Sequence, residues 1–268
     1  MLFSQAIRLK NVINFTLART LLYQLKTRMT LVKTFTALLC LFLLSTANAY
    51  TLSSGPIQKW GDPTLGTGAT ISYSFMMGGE QCDTSTCSAL DSFMPLGFQQ
   101  EIKKAFKAWS SVADLKFIEL ADDGANFNTL TTSGDIRIGG EMIDGPSGVL
   151  AHAFYPDTHW YFSAGGDLHF DTSETWSIDN LVDGISIFWV ALHEIGHSLG
   201  LGHSNESNAI MGPYYNPVLT GLQADDIAGI QYLYGANISA VPVPAAFWLL
   251  SSALVGLCGL RRKVSSKN

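Results

Sequence analysis

The sequence predicts an α+β fold. Short runs alternate apolar with polar residues, as half-buried strands do, and longer segments repeat apolar residues at helical spacing. One expected helix leads into "HEIGHSLGLGH" (193–203), which carries three of the six histidines in the chain. With 268 residues, 47% of them hydrophobic, the chain can bury one good core with appendages at its ends.

The elements follow in order. In "ATISYSF" (69–75), Ile71, Tyr73 and Phe75 alternate with polar residues, which predicts a strand with one buried face. Phe98, Ile102, Phe106 and Trp109 then share one face of "GFQQEIKKAFKAWSSV" (97–112), the spacing of an amphipathic helix. Short strands are expected at 115–120, 135–140, 149–154 and 167–170. A second helix should run from about Ile185 to Leu199 and stop at Gly200, and a third from about Ala224 to Tyr234, stopping at Gly235.

Both ends read as targeting segments around a domain at 50–236. Residues 29–49 have a Lys33 n-region, an apolar run from Phe35 to Leu44, and Ala47 and Ala49 in a cleavage pattern, which together read as a secretory signal with Tyr50 as the mature start. A membrane anchor is the alternative, although the apolar run is short for a span. Met29 is the expected initiator, so residues 1–49 count as extension plus signal. At the far end, residues 237–240 form a linker, and 241–268 hold "VPVPAAFWLLSSALVGLCGLRRK", a proline motif, an apolar span and a basic stop. This tail resembles the PEP-CTERM sorting signal of Gram-negative bacteria, with Val243 where the commoner motif has glutamate. The resemblance implies a membrane sorting enzyme as partner, and a plain transmembrane anchor is the competing reading.

Charge and cysteines narrow the environment. All 22 acidic residues lie between Asp62 and Asp226, where only five of the 16 basic ones fall. That acidic body argues against nucleic-acid binding and suits an exported protein or one that holds cations. Cys40 belongs to the signal and Cys258 to the tail, leaving Cys82 and Cys87 in the body. In an oxidising compartment they most simply pair with each other; a zinc half-site is the competing idea, with no second pair to complete it.

On a helix, His193 and His197 are one turn apart, so both imidazoles project from one face and can grip one ion. Glu194 follows His193 directly and would lean over an open metal position. Gly200 breaks the helix and lets the chain turn back to deliver His203. Three neutral nitrogen ligands with one open position describe a catalytic zinc.

The extended motif is that of metzincin metalloproteases, and Ser204 after the third histidine, with the flanking segments, makes the chain similar to the matrixins, the matrix metalloprotease family. "AIMGPYY" (209–215) resembles the family's Met-turn and its Pro-x-Tyr, and "QADDIAGIQYLYG" (223–235) its last helix, whose Asp-Asp pair tethers it to the Met-turn or the N terminus. "IKKAFKAWSSVADLKF", "DGPSGVLAHAF" and "GGDLHFDTSETW" have counterparts in the same order, so the likeness covers about residues 65–235. It implies a metzincin, zincin-like domain: a twisted mixed sheet with an active-site helix and a C-terminal helix. Met211 would form an apolar floor under the zinc, and Pro213 and Tyr215 the wall of the S1′ pocket. Substrate would lie extended beside "GVLAHAF", pairing near Leu150 and Ala151. Zinc would bring its bound water to a pKa near neutrality, with Glu194 as the base that takes the proton and then the acid that protonates the leaving amine.

The resemblance also implies further metals. Asp144, Asp171 and Glu174 match carboxylates of a family calcium site, joined by carbonyls of Gly145, Ser147 and Val149, with solvated loop acids as the alternative. A second calcium would sit near Gly165, Gly166 and Asp167. The family's structural zinc uses a His-x-Asp and two later histidines, which correspond to His152 and His169. The His-x-Asp is missing from the short loop before Asp144. Asp157 and His159, in a loop about four residues longer than its counterpart, are candidate replacements; an empty site is the alternative. The Pro-Arg-Cys-Gly stretch by which family propeptides cap the zinc is not found between Tyr50 and the first strand.

The expectation is therefore an exported, monomeric zinc endopeptidase acting on polypeptides at or beyond a bacterial surface. The alternative is a non-catalytic surface or matrix protein that keeps the scaffold for binding.

Overall fold

In the computed structural model, which describes residues 50–53, 57–156, 163–179 and 184–238 together with Gln24 and Lys26, Ala69–Phe75 forms the first strand, β1. The fold lies in the unit that begins at Asn48. Gln24 and Lys26 apart, the expected signal region 1–49 lies outside the described residues, as do the tail 241–268, positions 239–240 of the expected linker, Asp157 and His159.

After β1 come helix α1 (Phe98–Val112), strands β2 (Leu115–Glu119), β3 (Ile136–Glu141), β4 (Ala151–Ala153), β5 (Leu168–Asp171), β6 (Trp176–Ser177) and β7 (Ile185–Ser186), then helices α2 (Ile187–Ser198) and α3 (Ala224–Tyr234). Five strands make one sheet in the order β2-β1-β3-β5-β4, while β6 and β7 pair separately. All neighbours in the large sheet run parallel except β4, which is antiparallel to β5 and forms an edge. This is the mixed sheet of an α+β domain. The β6–β7 pair is an element that sequence periodicity misses, because two-residue strands carry no period to detect.

Burial explains the arrangement. The inner strands β3 and β5 are buried at every position, as expected of strands covered on both faces. Helix α1 turns Phe98, Ile102, Ala105, Phe106 and Trp109 inward, and Phe106 stacks on Tyr73 of β1 with ring centroids 4.3 Å apart. Each of the large side chains among these contributes roughly 1.5–3 kcal/mol when removed from water. Helix α2 has buried residues on all sides, so its weak amphipathicity marks a core element. Trp109, fully buried, ties α1 to α2 by donating its indole N–H to the Leu192 carbonyl at 3.0 Å. That bond fixes the rotation of the helix whose histidines face the cleft.

Candidate metal centre and cleft

Helix α2 starts at Ser186, whose hydroxyl accepts the backbone N–H of Trp189 at 3.3 Å, an N-cap that satisfies one of the unpaired amides of the first turn. It ends where Gly200 takes φ +104°, a left-handed conformation that favours glycine; a Cβ there would lie 2.2 Å from the Gln58 carbonyl. Between these limits His193 and His197 sit one turn apart with their Nε2 atoms 3.1 Å from each other. Each Nδ1 lies 2.7 Å from a backbone carbonyl, that of Ile210 for His193 and that of Leu201 for His197. The Nδ1–H groups therefore donate outward, which leaves both Nε2 lone pairs facing a common point. His203 completes the group, its ring centroid 5.3 Å from His193 and 4.8 Å from His197. The ligand atoms of all three lie within 4.8 Å of one another, and three convergent imidazoles fit a zinc ion.

Burial sets the charge state. It pushes the pKa of His193 down to about 4 and that of His197 to about 3, and lowers that of His203, so all three are neutral ligands at pH 7. It also pushes Glu194 up to about 8. A carboxyl group on this helix thus holds a proton far more readily than an exposed glutamate.

Two segments hold the loop that carries His203. Residues 50–53 run along it: Leu52 bridges Leu201, Gly202 N–H donates to the Thr51 carbonyl at 3.0 Å, and the Thr51 hydroxyl donates to the His203 carbonyl at 2.5 Å. From the other side, Ser204 N–H donates to the Met211 carbonyl at 2.7 Å. Met211 is buried, and a Cβ on Gly196 would sit 2.3 Å from its sulfur. The Met211 side chain therefore lies directly against the backbone next to His197.

A cleft of about 590 Å³ opens over the histidines. Leu150 and Ala151 line it beside β4, His193, Glu194 and His203 lie in its wall, and Pro213 and Tyr215 face them from the segment after Met211. Tyr215 also accepts the N–H of Ser186 at 3.0 Å, which joins that segment to the start of α2. Two residues that sequence reasoning did not single out belong here. Trp189 stacks on His193 with centroids 5.5 Å apart and an interplanar angle of 10°, and takes the edge of Tyr215; its position one helical turn before His193 was the available signal. Tyr155 meets His197 edge-on at 5.7 Å, a contact between distant segments with no signal in the sequence.

The remaining expected metal residues divide into two groups. His152 on β4 and His169 on β5 are paired across the strands, their Nε2 and Nδ1 atoms 3.1 Å apart. Asp83 and Glu141, which sequence reasoning missed, join them, with all four ligand atoms within 4.8 Å of one another. Cys82 and Cys87 form a disulfide, Sγ–Sγ 2.04 Å, which leaves no thiolate for a metal. Asp144, Asp171 and Glu174 behave differently: Asp144 N–H donates to Asp171, Ser147 N–H to Glu174 and Val149 N–H to Asp144. These acids share one loop cluster, but among the described residues they do not form a group of three convergent ligand atoms. Asp167, expected near a second calcium, is buried and accepts the Arg137 N–H at 3.1 Å, and burial pushes its pKa to about 8.

Residues 89–235 match the family described as matrixin. The chain is 45% identical over 149 residues to a hatching enzyme of Paracentrotus lividus, an alignment covering 52% of this chain and 23% of that protein. It is 44% identical over 146 residues to a macrophage metalloelastase of Oryctolagus cuniculus, covering 53% and 30%. With matrix metalloproteinase-18 of Xenopus laevis it shares 41% over 143 residues, covering 52% and 29%. The chain thus spans less than a third of the length of these curated relatives.

Proposed function

This chain belongs to the matrixin family, and from that premise we propose that it is an exported zinc endopeptidase that hydrolyses internal peptide bonds of polypeptides. The observation that carries this reading is the convergence of three neutral imidazoles, His193, His197 and His203, beside the buried Glu194 in the wall of an open cleft.

When bound, zinc supplies Lewis-acid chemistry that polarises the scissile carbonyl and acidifies water. The protein's own groups do the rest. Carbonyls of Ile210 and Leu201 hold the His193 and His197 rings with Nε2 inward. Glu194 takes the proton of the attacking water and delivers it to the leaving amine nitrogen. Burial strengthens the hold of Glu194 on a proton once it has taken one, while the positive charge of a zinc ion held by the neighbouring histidines would favour the carboxylate that accepts it. The substrate lies extended along the open edge of β4 near Leu150 and Ala151, and its side chain after the scissile bond enters the space bounded by Pro213 and Tyr215. Met211, packed against Gly196, forms the apolar floor.

The same reading includes calcium at Asp144, Asp171 and Glu174, a second zinc at His152 and His169, export by the segment ending at Ala49, and sorting or anchoring through residues 241–268. Among the described residues no helix is long and apolar enough to cross a membrane. Cleavage of casein or a quenched peptide by the purified protein tests the reading. Activity abolished by a chelator and restored by zinc supports it; a protein that binds zinc at the three histidines and cleaves nothing favours the non-catalytic binding alternative.

A further inference from the structure

Far from the cleft histidines in sequence, strands β3, β5 and β4 present Glu141, His169 and His152 on one face of the sheet. The register explains this: His169 is opposite His152 and opposite Gly139, so Glu141, two residues beyond Gly139, shares its face. Glu141 Oε2 lies 3.2 Å from His169 Nδ1 and 3.9 Å from His152 Nε2. Asp83 Oδ1 lies 3.8 Å from each of the same two nitrogens. Four oxygens and nitrogens bound to one tetrahedral zinc at 2.0–2.2 Å stand about 3.3–3.6 Å apart, so small shifts of side chains bring this set onto one ion.

Glu141 gives an independent sign that this cluster suits a cation. Its side chain is fully buried, and Oε1 is saturated by the N–H groups of Thr84 and Ser85 at 2.9 and 2.6 Å and by the Thr84 hydroxyl at 2.8 Å. Oε2 is buried with no donor in good hydrogen-bond geometry, and it lies close to His169 Nδ1 and faces the Asp83 carboxyl. A buried carboxylate oxygen facing two ring nitrogens and a second carboxylate is unfavourable until a proton or a cation joins them, and only a cation engages all four groups at once. Nitrogen donors favour a transition metal over calcium, and two neutral imidazoles with two carboxylates compensate a divalent charge.

The supplier of Asp83 is unusual. Asp83 lies in the six-residue loop closed by the Cys82–Cys87 disulfide, which is tightened by Cys82 N–H to the Ser85 carbonyl at 2.8 Å and by Cys87 N–H to the Glu80 carbonyl at 2.8 Å. Cys82 Sγ also touches His169 Nε2 at 3.4 Å. An Nε2–H directed at that sulfur leaves the Nδ1 lone pair for the metal, the tautomer control that outer partners exert on histidine ligands.

Resting on the reading of a second zinc at His152 and His169, we propose that Asp83 and Glu141 complete this site as a closed four-ligand set, and that the disulfide loop is what delivers Asp83 to it. The His-x-Asp missing from the sequence is then replaced by residues upstream of the site, not by Asp157 and His159. Closure by four protein ligands assigns the ion a structural role.

The test is metal stoichiometry of the full chain, loaded with zinc, dialysed and measured by mass spectrometry, with circular dichroism as the folding control. Two zinc ions are expected in the unmodified protein and in His159→Ala, and one in Asp83→Ala and in Asp83→Asn. In His193→Ala/His197→Ala the one remaining ion should be the second zinc. One ion in the unmodified protein would overturn the second zinc and the ligand set together. Two ions there with two in a folded Asp83→Asn protein, or loss in His159→Ala, would overturn the ligand set alone. In Cys82→Ser/Cys87→Ser the second ion should pass to a competing chelator at least tenfold more readily than in the parent, while the first is held unchanged. Equal retention of both would overturn delivery by the disulfide loop.

Discussion

The Asp226 carboxylate, in the first turn of the last helix, accepts the backbone N–H of Met211 at 2.9 Å. Its other oxygen accepts Ile210 N–H at 2.9 Å and Gln223 N–H at 2.8 Å, so one buried side chain holds three amides and joins the Met211 turn to α3. Ile210 is also the residue whose carbonyl receives the His193 ring. Asp226→Ala should therefore leave three amides without their acceptor, each buried unsatisfied group costing about 1–3 kcal/mol. The expected outcome is a Tm lowered by at least 5 °C and weaker zinc retention; an unchanged Tm in thermal denaturation would show that the turn holds without α3.

Glu194→Ala should lower peptide cleavage at least 100-fold, the scale of general acid–base catalysis, with zinc still bound at one equivalent in this site. The three imidazoles, held by Ile210, Leu201 and the 50–53 segment, do not depend on the glutamate. Cleavage assays beside metal analysis read both quantities. Full activity in the variant would remove Glu194 from the mechanism.

Gly196→Ala introduces a methyl group 2.3 Å from the Met211 sulfur and 3.1 Å from the Trp109 ring. No open space receives it, and overpacking of this kind costs about 1–3 kcal/mol. The variant should fold with reduced stability and a raised KM, because the Met211 turn leads directly into Pro213 and Tyr215 of the cleft wall. Denaturant titration and steady-state kinetics check the two effects separately.

Arg137 is almost fully buried and pairs with Asp122 through two bonds of 2.7 and 2.9 Å. Burial opposes the Asp122 charge, but the guanidinium, the Gly124 amide and the Ser74 hydroxyl overcome it and hold the pKa below the ordinary 3.8. A carboxylate whose folded pKa is depressed contributes stability above the unfolded value and loses it as the pH falls toward the folded one. This contribution should therefore be complete at neutral pH and decline below about pH 4. Asp122→Ala removes both short ionic bonds of the buried guanidinium and leaves it the Ala125 carbonyl and Glu80 at 3.9 Å, so it should cost about 3 kcal/mol at pH 7. Loss of less than 1 kcal/mol in urea unfolding would contradict the assignment.

What the sequence determined by itself were relationships within one element or across one turn. Helical periodicity located α1 through Phe98, Ile102, Phe106 and Trp109, and the four-residue spacing of His193 and His197 placed both rings on one face, because 3.6 residues per turn leaves little choice. Gly200 marked the reversal toward His203 for an equally local reason, its backbone conformation. Tertiary structure decided what required distant segments to meet. The parallel register of β3 with β5 put Glu141 on the face of His169, and a disulfide loop before α1 brought Asp83 beside them. Neither residue carries a local signal, since an aspartate in a polar loop and a glutamate at a strand end are ordinary until sheet pairing removes water from one of them. The Tyr155 edge on His197, the 50–53 segment along the His203 loop and the Asp226 hold on Met211 are of the same kind. Periodicity specifies which side of an element is apolar; only closure of the core specifies which polar groups are left facing one another inside it.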